Sequence, residues 1–322
     1  MMRRWITGLL ALTLCAALLA LPAAAAETEE APARLGPVAY WGSVTWMDED
    51  SFLLDRGERD DLSDAVVVHV GDAPYVDAAT GAPLNLDTLE DGGVAYAWVG
   101  PAMMLSMPPQ ATASLILGNI PAGSAVPAYY EITGSTVTEE SAVLSVAGST
   151  DPITVPASAQ VTPYLTRNLV TLADLIPGTR ILVWSDGDGQ PEKVLVFAYE
   201  YRGYVAAAED GTVSVNGAAL DQKAKATEDG DTLLPVRAVA EALGMKVSWD
   251  AEKGAVVSYG EDMVKPAPLE SEVLMTAQPG GAITAVSSDG AAEEVYGSCI
   301  KENGVTYVSM TALAQALNLY RA

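Results

Sequence analysis

The sequence predicts a mainly β protein with a C-terminal α+β domain. Two small β-barrel or sandwich-like repeats are expected first, followed by a region that combines strands with helical spacing. From Val38 to about Ala207, short runs rich in Val, Ile, Thr and Tyr alternate with Asp, Gly and Pro turns, at intervals of about 8–12 residues. This stretch also repeats itself, and apolar residues take up helical spacing only after about Val205.

The N-terminus has the order of an export signal. Met1–Arg4 is basic, Trp5–Leu21 is apolar, and Pro22 with four alanines leads into the polar segment Glu27–Glu30. This order predicts cleavage after Ala26, with an uncleaved anchor as the alternative. We therefore expect a secreted or extracytoplasmic protein of a bacterial cell envelope.

Two β-repeats are predicted because the chain resembles itself at a shift of 86 residues. Leu86–Gly92 then lies over Leu172–Gly178, and Ala95–Trp98 lies over Ile181–Trp184. Self-similarity of this kind indicates two copies of one structural unit.

The first repeat has an apolar loop where the second has a short turn, Asp186–Gly189. Methionines suit an adaptable contact surface, and prolines would stiffen such a loop and lower the entropy lost on binding. As alternatives, the methionines fill a gap in the packing, or the Met-x-x-Met pair binds Cu(I). The predicted contact loop consists of Met103, Met104, Met107, Pro108 and Pro109.

The C-terminal region combines a strand, a helix and a hairpin. Thr232–Leu234 is strand-like, and Pro235 suits the first position of a helix. Apolar residues recur at helical spacing as far as Leu243, and Gly244 suits the left-handed end of a helix. Val247–Tyr259 then has the pattern of a β-hairpin.

This region resembles the copper amine oxidase N-terminal domain family, a stalk-like module of secreted bacterial proteins. The resemblance rests on Val213–Gly217, Asp229–Gly244 and Val247–Asp250, with a weaker second copy at Asn303–Leu317. It implies an α+β domain in which antiparallel strands pack on one or two helices.

The resemblance does not extend to the oxidase itself. The catalytic part of copper amine oxidases needs three histidine ligands and an Asn-Tyr-Asp/Glu-Tyr motif. Tyr199–Tyr201 matches that motif in part, but Ala198 replaces the asparagine and His69 is the only histidine. We expect these tyrosines to be strand aromatics that close the second β-repeat, and His69 to be an ordinary strand residue.

Charge and composition exclude several classes of function. The 322 residues carry a net charge of −25, which becomes −27 when Arg3 and Arg4 leave with the signal. Nucleic acid and anionic lipid are therefore poor partners. With one histidine, and with Cys299 as the single cysteine after the signal, we expect no cofactor, no metal, no disulfide and no catalytic residue.

The pattern as a whole favours a non-catalytic extracellular or envelope protein that acts as a structural or binding module. A cell-envelope polysaccharide or another extracellular protein is the expected partner, and no membrane span is expected after the signal. The alternatives are a secreted hydrolase that uses carboxylates on envelope polysaccharide, or an envelope assembly or inhibitor module. The predicted segments are a signal peptide at 1–26, a linker at 27–35, β-repeats at 36–120 and 121–204, and the family-like domain at 205–322.

Overall fold

The computed structural model describes residues 34–57, 62–123, 125–165, 169–227 and 229–322. The predicted signal peptide lies outside these residues. Ala33–Ala322 forms one compact unit. It is mainly β with two short α-helices in its C-terminal part, which confirms the predicted fold class.

The first sheet is a closed ring of five strands with a sixth strand attached. β1 pairs with β2 and β5 in antiparallel fashion, and the ring closes because β3 lies parallel to β6. The short β4 lies parallel to β6 outside the ring. The strands are β1 (Val38–Trp46), β2 (Ser51–Asp55), β3 (Ala65–His69), β4 (Tyr75–Asp77), β5 (Val94–Val99) and β6 (Gln110–Gly118).

The second sheet repeats the strand order of the first. The first order is β3-β2-β1-β5-β6-β4, and the second is β9-β8-β7-β11-β12-β10. Short 3-10 helices at Leu86–Thr88 and Leu172–Asp174 precede equivalent strands at the predicted shift. The strands are β7 (Ala128–Val137), β8 (Ser141–Val146), β9 (Ile153–Pro156), β10 (Gln160–Pro163), β11 (Arg180–Ser185) and β12 (Pro191–Val196).

The two sheets bury a joint set of side chains, which we call the shared core. Residues on the outer face of the first ring meet the second sheet there, and Trp184 Nε1 donates a hydrogen bond to the carbonyl of Ala78 at 2.7 Å. The two repeats therefore pack directly against each other and are not joined by a linker alone. The shared core contains Val76, Ala78, Trp98, Leu115, Leu117, Tyr129, Leu182, Leu195 and Phe197.

The C-terminal part packs three small sheets against two helices, α1 (Val236–Ala242) and α2 (Met310–Leu317). Its strands are β13 (Tyr204–Ala207), β14 (Val213–Val215), β15 (Ala218–Ala219), β16 (Lys225–Ala226), β17 (Thr232–Pro235), β18 (Lys246–Asp250), β19 (Gly254–Ser258), β20 (Val273–Ala277), β21 (Ile283–Val286), β22 (Ala292–Val295), β23 (Cys299–Glu302), β24 (Val305–Ser309) and β25 (Tyr320–Arg321).

Both helices are short amphipathic segments that bury one face. Gly244 follows the C-cap of α1 with a φ of 77°, the left-handed conformation expected there, and Asn318 caps α2 with a φ of 52°. Pro235 precedes α1 as its N-cap instead of being its first residue, because it still belongs to β17. The helix is thus one residue shorter at its start than the sequence suggests.

The tyrosines predicted to close the second repeat lie outside its strands, in the connection between β12 and β13. The expectation of strand aromatics is therefore wrong. Tyr199 donates its hydroxyl proton to the carbonyl of Pro177 at 3.1 Å, and the Tyr201 ring packs edge-on against Tyr320, 5.3 Å between centroids. These tyrosines fill the junction between the second repeat and the C-terminal part.

A cluster at this junction, which we call the tyrosine clasp, joins the start and the end of the compact unit. It consists of Arg34, Glu131, Gly178 and Tyr320. The Tyr320 hydroxyl donates to Glu131 Oε1 at 3.1 Å, and the Arg34 guanidinium lies 4.4 Å from the Tyr320 ring centre and 3.0 Å from the same carboxylate. A Cβ atom on Gly178 would stand 2.8 Å from the Tyr320 ring, so glycine permits the close approach.

Candidate functional site

The predicted contact loop is divided by the structure into a buried and an exposed part. Met103 packs against the core of the first ring, and its Sδ accepts a hydrogen bond from the Tyr40 hydroxyl at 3.2 Å. Met104 and Met107 are largely exposed, while Pro108 is half-buried. Met103 thus packs on the ring, as the packing alternative expects, whereas the contact role of the exposed Met104 and Met107 stays a prediction.

This division makes the three methionines unequal in their effect on stability. Met103→Ser should lower the melting temperature, because it removes a thioether packed on the ring and an acceptor of the Tyr40 hydroxyl, at a cost of about 1–3 kcal/mol. Met107→Ser, the matched control, should change the free energy of unfolding by less than about 0.5 kcal/mol. Differential scanning calorimetry of the two variants checks this, and equal melting would contradict the packing role.

The outer face of the first ring carries a row of aromatic rings. Trp41 on β1 is the cross-strand partner of Tyr96 on β5, and alternate residues of a strand share a face, so Trp98 follows Tyr96. The Trp41 and Tyr96 rings stack at 5.9 Å with 17° between their planes, and the Tyr96 and Trp98 centroids are 6.2 Å apart. The row enters the shared core at Trp98, whose ring lies 6.1 Å from that of Tyr129.

An open groove, which we call the aromatic groove, lies along the exposed end of this row. Its volume is about 540 Å³. It is lined by Trp41 and Tyr96, by Thr88 at the end of the 3-10 helix and Glu90 just after it, and by the connection after β6 beginning at Asn119. A neighbouring cavity of about 830 Å³ shares Tyr96 and Val126 with it, so the two cavities adjoin at these residues.

The chemistry of the aromatic groove is that of a flat ring beside polar groups. Trp41 keeps 41% of its surface exposed, and the Arg56 guanidinium lies 5.8 Å from its centroid. Glu90 and Asn119, which also line the groove, offer a carboxylate and an amide group. An exposed ring flanked by such groups can take the apolar C–H face of a ring-shaped ligand while its hydroxyl groups find hydrogen-bond partners.

Sequence reasoning missed Trp41 and Tyr96 as surface residues. A signal exists on β1, where Tyr40 and Trp41 are adjacent and must point to opposite faces. The structure shows that Tyr40 packs against the ring core, so Trp41 faces outward. The choice between the two depends on the pairing register with β5, which the sequence of β1 does not contain.

The residues present do not fit a copper site of the oxidase type. The single histidine, His69, lies in β3, and its Nε2 donates to Gln110 Oε1 at 3.1 Å. Among the described residues, no group of three or more His, Cys, Asp or Glu could hold a metal ion. Burial raises the pKa of the Cys299 thiol to about 11, so it stays protonated at neutral pH and is a poor nucleophile.

No helix in the part of the chain that the structure describes is long and apolar enough to cross a membrane.

Fold and surface together define a β-rich modular protein with an open groove on its first module and an α+β domain at its C-terminal end. Residues 214–320 match the family described as the copper amine oxidase N-terminal domain, which confirms the predicted family for this region. The matched family is a non-catalytic, stalk-like domain, and no catalytic oxidase domain is matched.

No curated protein matches the chain. A solved structure titled "Structural mimicry for functional antagonism" aligns with 53% of this chain and 94% of its own, at 10% sequence identity and a TM-score of 0.16. A similarity at this level carries no information on the fold or the function.

Proposed function

We propose that the protein is a non-catalytic binding protein exported to the bacterial envelope, where its aromatic groove holds an uncharged polysaccharide. The observation that carries the proposal is the stacked pair Trp41 and Tyr96, which forms the wall of an open groove although one ring remains 41% exposed. Large aromatic rings are costly to leave in water, and their retention at a polar groove favours a binding role.

The shape of the groove favours a chain-like ligand. Two cavities adjoin at Tyr96 and Val126, so a ligand could extend from one cavity into the other past these residues. A linear glycan presents successive rings with apolar faces and hydroxyl edges, which suits the alternation of aromatic and polar groups there. An uncharged glycan avoids the repulsion that a strongly acidic chain exerts on anionic polymers.

The set of groups around the groove favours binding over hydrolysis. Most glycoside hydrolases need two carboxylates that flank the bond to be cleaved. Of the described residues that line the aromatic groove, Glu90 alone is acidic. A groove with one carboxylate can accept a hydrogen bond from a sugar hydroxyl but lacks the second group that the reaction requires.

The remaining parts of the chain support presentation of the groove. The shared core fixes the first repeat to the second, and the tyrosine clasp fixes the second repeat to the C-terminal part. A stalk-like role for the C-terminal part is consistent with its family match. In this proposal the groove is held at a defined position relative to the stalk-like domain.

Replacement of Trp41 tests the proposal directly. We expect Trp41→Ala to weaken retention on purified, insoluble cell-wall polysaccharide by about tenfold or more, because the stacking face is lost while the fold is kept. Tyr296→Ala is the matched control, since Tyr296 is a fully exposed aromatic residue that does not line the groove. The measurement is a binding isotherm from sedimentation with the polysaccharide.

Retention of Trp41→Ala at the wild-type level, with both proteins folded, would refute the role of the groove. Release of reducing sugar from the polysaccharide by the wild-type protein would instead favour the hydrolase alternative. Export is tested separately, by sequencing the N-terminus of the protein recovered from the envelope fraction, where Glu27 is the expected first residue.

A further inference from the structure

A second cleft lies in the C-terminal part, between the hairpins β18–β19 and β23–β24. Its volume is about 280 Å³. Trp249 from β18, Lys301 from β23 and Arg237 of α1 line it, and Gln222 and Thr306 add an amide and a hydroxyl group. We call this the cationic cleft. It shares no lining residue with the aromatic groove.

The charge of Lys301 is not neutralised by a neighbouring carboxylate. Its Nζ lies 3.6 Å from the centre of the Trp249 ring, and no carboxylate oxygen of a described residue is within 4.0 Å of it. The contact with the ring holds the ammonium group in place without cancelling its charge. Most lysines of this part do have an acidic partner, namely Lys223, Lys225, Lys246 and Lys265.

The guanidinium of Arg237 is held at the edge of the same hairpin. Its Nη1 donates to the carbonyl of Val247 at 3.0 Å and pairs with Glu241 at 2.9 Å. The other guanidinium nitrogens have no described partner and remain available, and a planar guanidinium suits a carboxylate in particular. On a chain with a net charge of −25, the unpaired ammonium of Lys301 beside the remaining N–H groups of the Arg237–Glu241 pair forms a local site for an anion.

The rest of the lining selects the group that carries the anion. Lys301 covers one face of the Trp249 ring, but 48% of the Trp249 surface stays exposed and offers apolar ring surface, while Gln222, Thr306 and Ser248 offer hydrogen-bonding groups. A cleft of 280 Å³ lies at the small end for ligand pockets and suits a single sugar-sized ring. We propose that the cationic cleft binds a sugar acid, with its carboxylate between Lys301 and Arg237 and its ring against Trp249.

The experiment is a titration of the purified protein with D-glucuronate, followed by the indole N–H resonance of Trp249 in a ¹H–¹⁵N spectrum. Trp249→Phe assigns that resonance. We expect a saturable shift with glucuronate and none with D-glucose at the same concentration. Lys301→Gln and Arg237→Gln should each raise the dissociation constant by about tenfold, because each removes a charged donor to the carboxylate.

Lys253→Gln is the matched control, because Lys253 is an exposed lysine in the turn of the β18–β19 hairpin and does not line the cleft. Wild-type affinity in this variant supports the proposal. An equal shift with acetate would overturn the claim that the cleft recognises the sugar ring. An equal loss of affinity in Lys253→Gln would show that only the general surface charge attracts glucuronate, which overturns the specific site. Absence of a saturable shift in the folded wild-type protein overturns it altogether. Trp41→Ala leaves this cleft unaltered. The glucuronate titration can therefore fail or succeed independently of the polysaccharide experiment.

Discussion

Leu317→Asp is expected to unfold the C-terminal part of the protein. Leu317 lies on α2 with no exposed surface, among the apolar side chains that join both helices to the sheets. An aspartate there leaves a charge without a partner in an apolar core, which costs several kcal/mol, and removes packed methyl groups at a cost of about 2–5 kcal/mol. This is comparable to the whole stability of a domain, about 5–15 kcal/mol.

Loss of dispersed methyl resonances from the C-terminal part, together with rapid proteolysis there, would report this unfolding. Gln315→Asp is the matched control, because Gln315 is exposed on the same helix and a charge there should cost no more than a few tenths of a kcal/mol. Leu243→Asp, at the C-cap of α1, should destabilise the C-terminal part less than Leu317→Asp does, since Leu243 is only partly buried. If Leu317→Asp melted like Gln315→Asp, the helix would not contribute to the core as described.

Trp98→Ala should destabilise both β-repeats together. Trp98 is 7% exposed in the shared core, where it contacts Tyr96 and Tyr129. Truncation of a buried tryptophan to alanine costs about 3–5 kcal/mol, which corresponds to a fall in melting temperature of roughly 10 °C for a unit of this size. Because the cavity opens between the two sheets, their unfolding transitions should also separate.

Trp41→Ala supplies the comparison, since Trp41 belongs to the same aromatic row but is largely outside the core. We expect it to cost less than about 1 kcal/mol and to leave one joint transition. Calorimetry of both variants measures the loss of stability and the number of unfolding transitions together. A Trp98→Ala protein that melts like Trp41→Ala would show that the shared core does not couple the repeats.

The repeat was accessible from sequence because it depends on local features. The 3-10 helices and the strands β5 and β11 recur at the same shift of 86 residues, and each is recognised from its own neighbours in the chain. The turn after β11 was also predictable, because the Asp186 carboxylate accepts hydrogen bonds from the backbone of Asp188 and Gln190. The residue bounds of the predicted segments stay predictions.

The shared core was not anticipated, although a signal for it exists. A strand with one face in water should alternate, whereas Leu115–Leu117 and Ile181–Val183 are uninterrupted apolar runs. Such runs indicate burial on both faces, but they do not state which element covers the second face. The packing of one repeat on the other depends on strands that are far apart in sequence.

The two proposed binding surfaces were out of reach for a related reason. In the cationic cleft, Trp249 and Lys301 belong to different hairpins and meet only through the arrangement of the sheets. Each residue alone is an ordinary exposed strand residue. The methionine loop, by contrast, was noticed because one repeat has it and the other lacks it, and its contact role stays a prediction.

The tyrosine clasp affects the order in which parts of the protein can fold during synthesis. Tyr320 contributes a ring to the second repeat beside Gly178, and β25 pairs with β13 in parallel. During synthesis Tyr320 leaves the ribosome after Arg34, Glu131, Gly178 and β13, so this junction cannot form until Tyr320 has emerged. Synthesis of Tyr320 thus sets the earliest moment at which the second repeat and the C-terminal part can acquire their final packing at Glu131 and Gly178.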